Sequence, residues 1–234
     1  MPPAASDAVR AEWARRVHAE YRSAAITQHL TLWLIQIGAS PDLVHAGLRI
    51  VKDEMTHASM SHRALTKAGG AVTTALARES LELQRDPREP LERAVARVGV
   101  EVFCLGETVA VPLFKVLREG ATVPVARRAL DRILRDEVRH RDFGWTLLGY
   151  LFELPSASEI HGLVTRELPS MFARIRRSYA PRSASGTSIP EADRAWGLMP
   201  PRRYGEILER TLTRDWAPRF RALGVDATAA WQPT

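Results

Sequence analysis

The sequence predicts an all-α fold: two antiparallel helical hairpins joined by a long crossover, with about two further helices toward the C-terminus. Three observations predict it. Of the 234 residues, 45% are apolar but only 7% aromatic, and Ala, Leu, Val and Arg dominate, a mix that suits helices better than a β-sandwich. Long segments carry apolar residues at helical spacing. The order long helix, tight turn, long helix then occurs twice.

The first helix is expected over 7–37, where Val9, Trp13, Val17, Ala24, Leu32 and Ile35 recur at helical spacing with no interior Pro or Gly. The stretch GASPD at 38–42 closes it and opens the next. Gly38 ends one helix, Ser40 caps the following one, and Pro41 takes its first position. The second helix covers about 41–68 and ends at Gly69-Gly70. Residues 69–90 hold Gly-Gly and two prolines and read as the crossover. Extended chain reaches about 3.3 Å per residue, enough to run the length of a bundle.

A third helix is expected over about 90–119, and a fourth over about 123–153, with Thr122 before it, Pro124 just inside it and Pro155 beyond its end. A fifth covers 157–179, the stretch 180–193 reads as loop, and a sixth covers 201–222, capped or kinked near Pro218. GVDATAAWQPT at the end reads as a tail. The expected division is a four-helix bundle over 1–155 with a helical extension over 156–234 packed on it.

Cys104 is the one cysteine, so no intrachain disulfide forms and a reducing compartment is expected. The N-terminus lacks a basic start followed by an apolar run, and LTLWLIQIGA at 30–39 is too short to span a bilayer. A soluble cytoplasmic protein is the expectation. The net charge of +6 invites nucleic acid. The cations, however, are spread among Glu and Asp along the helices, so neither nucleic acid nor a membrane is an expected partner.

Chemistry concentrates in two matching segments, RIVKDEMTHASM at 49–60 and RILRDEVRHRDF at 132–143. Both fall in mid-helix, where buried Asp, Glu and His are costly unless paired or holding a metal. Residues i and i+3 share a helix face, so Glu54 with His57, and Glu137 with His140, each present a carboxylate beside an imidazole. These are oxygen and nitrogen donors suited to iron, manganese or zinc. Chance explains one Glu-x-x-His in a chain like this, since about 0.5 is expected. Requiring Asp before the Glu lowers that to about 0.02, and two copies in equivalent hairpins then point to a metal site. Asp53 and Asp136 have the place of carboxylates that accept the second N–H of a ligand imidazole.

Two such pairs call for one inward Glu on each remaining helix. Glu20 is the candidate on the first, at a depth similar to Glu54 in the hairpin. The third helix offers Glu101 and Glu107 in GVEVFCLGETVAVPLF. Six residues apart on an α-helix they point about 240° apart, so only one can face the site. Hairpin symmetry favours Glu101, and the small Gly106 favours Glu107.

At these residues the chain resembles the ferritin-like superfamily of di-iron carboxylate proteins, and within it bacterial ferritin-like domain-containing proteins. The likeness lies in EYRSAAITQHLTLWLIQIGASPDLVHAGLRIVKDEMTHA and in CLGETVAVPLFKVLREGATVPVARRALDRILRDEVRHRDFGW. It covers about 10–150 and extends to 196–224. It implies a ferritin-like four-helix bundle with Glu20, Glu54, His57, Glu107, Glu137 and His140 as metal ligands and catalytic centre, Glu54 and Glu137 bridging. It favours Glu107 over Glu101. The implied cofactor is two iron ions, with manganese or mixed iron–manganese as alternatives, and O2 as co-substrate. Tyr21 departs from the pattern, which has a His or a small residue after the first-helix Glu.

The implied function is O2-dependent oxidation or hydroxylation of a small organic molecule, free or bound to a carrier protein. The alternatives are a ferroxidase or iron-handling protein, chemistry at a di-manganese centre, and a tRNA-hydroxylase-like enzyme. Expected partners are the organic substrate, an external electron donor, and an acidic carrier protein docking on the basic clusters at 174–182 and 200–206, with a homodimer as a further expectation. Cys104 is expected to be a small buried hydrophobe.

Overall fold

The computed structural model describes residues 3–73, 75–179 and 188–232. Helix α1 runs over Asp7–Gln36 and α2 over Pro41–Lys67. The turn between them falls where the sequence predicts, although the Ser40 side chain makes no capping hydrogen bond. Gly38 takes φ +69°, a left-handed conformation that favours glycine, and Pro41 opens α2. A 3₁₀ turn, Arg78–Leu81, interrupts the crossover. Helix α3, Leu91–Val98, a π segment, Gly99–Glu107, and α4, Thr108–Gly120, follow without a break. Next come α5, Pro124–Leu151, α6, Ala157–Tyr179, and α7, Glu191–Ala195. Helix α8, Pro201–Thr211, a second π segment, Leu212–Trp216, α9, Ala217–Ala222, and α10, Ala227–Ala230, complete the chain. No strand occurs among the described residues, and no helix there is long and apolar enough to cross a membrane.

The kink expected at Pro218 takes a specific form. Proline withdraws one N–H from the helix and crowds the carbonyl four residues back, and here the helix widens to π over the turn just before it. The loop expected over 180–193 lies outside the described residues up to 187; beyond it, α7 is a helical turn the sequence reading missed. The tail is also partly helical. Asp226 Oδ1 accepts the N–H groups of Thr228 and Ala229, both at 3.0 Å, and opens α10. Trp231 is buried, its ring 4.9 Å from that of Phe172. An Asp cap five residues before a tryptophan was the available signal.

The chain divides into two compact units. The first comprises 1–84, 114–136 and 188–200. Its core holds Trp13, Leu30, Leu34, Leu65, Leu130 and Ile133. The Trp13 indole N–H donates to the Trp196 carbonyl at 3.1 Å, and the Ala195 carbonyl accepts the N–H groups of Thr122 and Val123 at the start of α5. The crossover is tied to α1 by the Leu83 N–H, which donates to His29 Nδ1 at 3.1 Å.

The second unit comprises 85–113, 137–187 and 201–234. Phe172 packs against Trp216 at 5.4 Å, and Trp145 against Phe220 at 4.9 Å. The Trp216 indole N–H donates to the Cys104 carbonyl at 3.0 Å, which fastens the second π segment to the first. Arg97 joins Glu89 and Glu167, tying α3 to α6.

Candidate metal centre

In the first unit the α1–α2 hairpin brings Glu20, Glu54 and His57 together, all buried. His57 Nδ1 lies 3.5 Å from Glu20 Oε2 and 3.4 Å from Glu54 Oε2. Its other nitrogen, Nε2, faces Asp136 Oδ2 of α5 at 3.1 Å. Asp136 is acceptor-only when ionised, so Nε2 carries the hydrogen and donates. Nδ1 is thereby aimed between two carboxylates. Burial lowers the basicity of His57, but Glu20 and Glu54 more than offset this and push its pKa up to about 11.

The three groups together could hold a cation. Two ligand atoms each about 2.1 Å from a shared ion lie about 3–3.5 Å apart, the separation found here. A proton on Nδ1 meets the same need in the metal-free protein, and a metal ion would displace it. The donor set of carboxylate oxygens and an imidazole nitrogen fits iron or manganese.

The surroundings hold this cluster in place. Ser23 Oγ donates to Glu54 Oε1 at 2.8 Å. Arg132 joins Asp53 of α2 at 2.9 Å to Asp136 of α5, with Nε on Asp136 and Nη2 on Asp53. One guanidinium thus links the two Asp residues that precede the two predicted Glu ligands. The sequence reading assigned the Asp residues and missed Arg132; an Arg one turn before Asp136 was the signal.

In the second unit Glu107, Glu137 and His140 are also buried, with His140 Nδ1 3.5 Å from Glu137 Oε2. Glu107 ends the first π segment. π turns inside helices are uncommon and often mark functional sites. The α-helical rotation used for Glu101 and Glu107 does not apply across such a segment, yet the two still differ in surroundings. Glu101 is 38% exposed and pairs with Arg174 of α6 at 2.5 Å, whereas Glu107 is 8% exposed. All six predicted ligands fall in groups of buried carboxylates and imidazoles that could hold a metal ion.

Other candidates sort clearly. Tyr21 is exposed on α1. In the basic clusters Arg174 pairs with Glu101, Arg176 lies over the Trp231 ring, and Arg202 and Arg203 pair with Glu206. Residues 180–182 of the first cluster lie outside the described residues. Cys104 is fully buried, and burial pushes its thiol well above the usual range. It should therefore resist a thiol-reactive dye at pH 8 in the folded protein and react once the chain is unfolded; fast labelling of folded protein would contradict this burial.

No family model and no curated protein matches the chain. Among solved structures it is similar to protein 19 with aldehyde deformylating oxidase activity from Synechococcus. The match spans 96% of this chain and 95% of that one, at 18% identity and a TM-score of 0.61. At that identity the likeness shows the fold: an all-helical bundle of the ferritin-like kind.

Proposed function

We propose that this chain is an O2-dependent dimetal carboxylate oxidase or oxygenase acting on a small organic molecule. Glu20, Glu54 and His57 of the first unit and Glu107, Glu137 and His140 of the second would supply the ligands, with iron the first choice and manganese the alternative. The observation that carries the reading is His57, locked by Asp136 with its second nitrogen aimed between two buried carboxylates. The oxidase activity of the structural neighbour supports the reaction class. The substrate is assigned only as an organic small molecule.

The bound ions would supply the activation and reduction of O2. The protein's own part is positioning. Asp136 fixes the His57 tautomer, Ser23 orients Glu54, and Arg132 ties the helices that carry the Asp residues. Val100, Phe103, Leu105 and Val109, near Glu107 in the chain, are fully buried.

Anaerobic loading with Fe(II) followed by O2 tests the function. The expected result is uptake of about two ions per chain with O2 consumed and no further accumulation. Storage of many ions per chain as a mineral would establish iron handling instead. The third-helix ligand has its own test. Glu107→Gln should lower metal content, and Glu101→Gln should leave it unchanged while costing at most about 1 kcal/mol of stability, since its ion pair is partly exposed. Metal analysis and thermal melts of the two variants read both effects.

A further inference from the structure

The outer face of the α1–α2 hairpin combines three features. The first is an apolar seam. Tyr21, Leu32, Ile35, Leu48 and Met55 are between 43% and 56% exposed, and the other exposed large apolar residues among the described ones, Val72 and Val138, reach only 37%. The hairpin register aligns them. Glu20 meets His57, Ser23 meets Glu54, and Thr31 abuts Gly47. This register puts Tyr21 level with Met55 and Leu32 within a turn of Leu48. Tyr21, Leu32 and Ile35 share one stripe of α1, and Leu48 and Met55 one stripe of α2. From Tyr21 to Ile35 the seam is about 21 Å long.

The second feature is charge. Over the hairpin, residues 7–67, the exposed cations are Arg15, Arg22, Arg49, Lys52, Arg63 and Lys67, of which Arg15 pairs with Glu12, against the exposed acids Asp7 and Asp42. The asymmetry has a cause: Glu20, Asp53 and Glu54 are turned into the core. The third feature is position. Tyr21 and Met55 directly follow Glu20 and Glu54 in the chain, so a molecule on this face is one helix width, about 10 Å, from those carboxylates.

We propose that this face docks a small acidic electron-carrier protein. The proposal rests on the dimetal reading, which needs electrons from outside. An oxygenase turnover that places one oxygen atom in the substrate and one in water takes up two electrons and two protons, so two one-electron carriers are oxidised each time. A cationic rim around an apolar centre steers and seats an acidic partner. A second copy of this chain would bring the same cations face to face. The short seam also suits a transient electron-transfer contact better than a permanent dimer, which buries more.

Calorimetric titration of the metal-loaded protein with an acidic plant-type [2Fe–2S] ferredoxin tests this. One-to-one binding is expected, weakening at least about tenfold between low salt and about 0.5 M salt. The triple variant Arg22→Glu, Arg49→Glu, Lys52→Glu should weaken it about tenfold or more, while Arg202→Glu with Arg203→Glu should not. Helix content and metal content of the variants should match wild type, because all five positions are surface cations. Absence of binding, or equal losses in both variants, overturns the proposal. So does equal binding by acidic acyl carrier protein without a redox centre, or a dimer that the triple variant dissolves. Metal content is read on the same samples: wild-type protein without metal sinks the dimetal reading, whereas metal without docking sinks only the carrier surface.

Discussion

Asp136→Asn protein should bind its metal about 10–100-fold more weakly than wild type. Asp136 accepts the His57 Nε2 hydrogen at 3.1 Å and is itself held by Arg132. It therefore decides which His57 nitrogen faces Glu20 and Glu54. Asn keeps the shape, removes the charge, and presents either a carbonyl or an amide to the ring. An amide pointing at Nε2 would favour the wrong tautomer, and a carbonyl would leave a less basic ligand nitrogen. Arg132 is 32% exposed, so water can solvate the charge it loses, and the fold should survive. Competition with a chelator of known affinity reads the effect. A change within about twofold would mean that Asp136 does not orient His57 toward a metal.

Gly144→Ala should lower the melting temperature by up to about 8 °C. A Cβ at Gly144 would lie 2.5 Å from Phe103 Cβ, 2.8 Å from the Phe103 carbonyl carbon and 2.9 Å from the Cys104 nitrogen. Two of these are backbone atoms of the first π segment, which cannot rotate away. Gly99 approaches from the other side, with Leu147 3.1 Å from its own Cβ position. Overpacking of this kind costs about 1–3 kcal/mol and sometimes more, and each kcal/mol is worth about 2–4 °C in a chain of this size. The helix-propensity gain of about 1 kcal/mol offsets only part of it. Gly149→Ala provides the contrast: it sits in the same helix with nothing within 4 Å, and should stabilise by up to about 1 kcal/mol.

The long helices were legible because apolar spacing and the Gly-x-x-Pro turn act locally. α1 and α2 end within one residue of the expected 7–37 and 41–68. The π segments were not legible. A π turn keeps the apolar pattern of the helix around it, and the close approach of Gly144 to Phe103 and Cys104 in the first one joins residues remote in sequence. The tail shows the same limit, since the burial of Trp231 depends on Phe172 and Trp216, remote in sequence. Glu54 beside His57 was legible through one repeated spacing, and Glu20 beside them through its matching depth in the hairpin. Arg132 was not, because an Arg four residues from an Asp reads as an ordinary surface pair until Asp53 is seen on its other side.

Metal analysis of protein purified under native iron and manganese supply tests the central claim most directly. The account predicts about two ions per chain in wild type, and less than about half an ion in Glu54→Ala and in His140→Ala. Less than about half an ion in wild type, unchanged in the two variants, would contradict it.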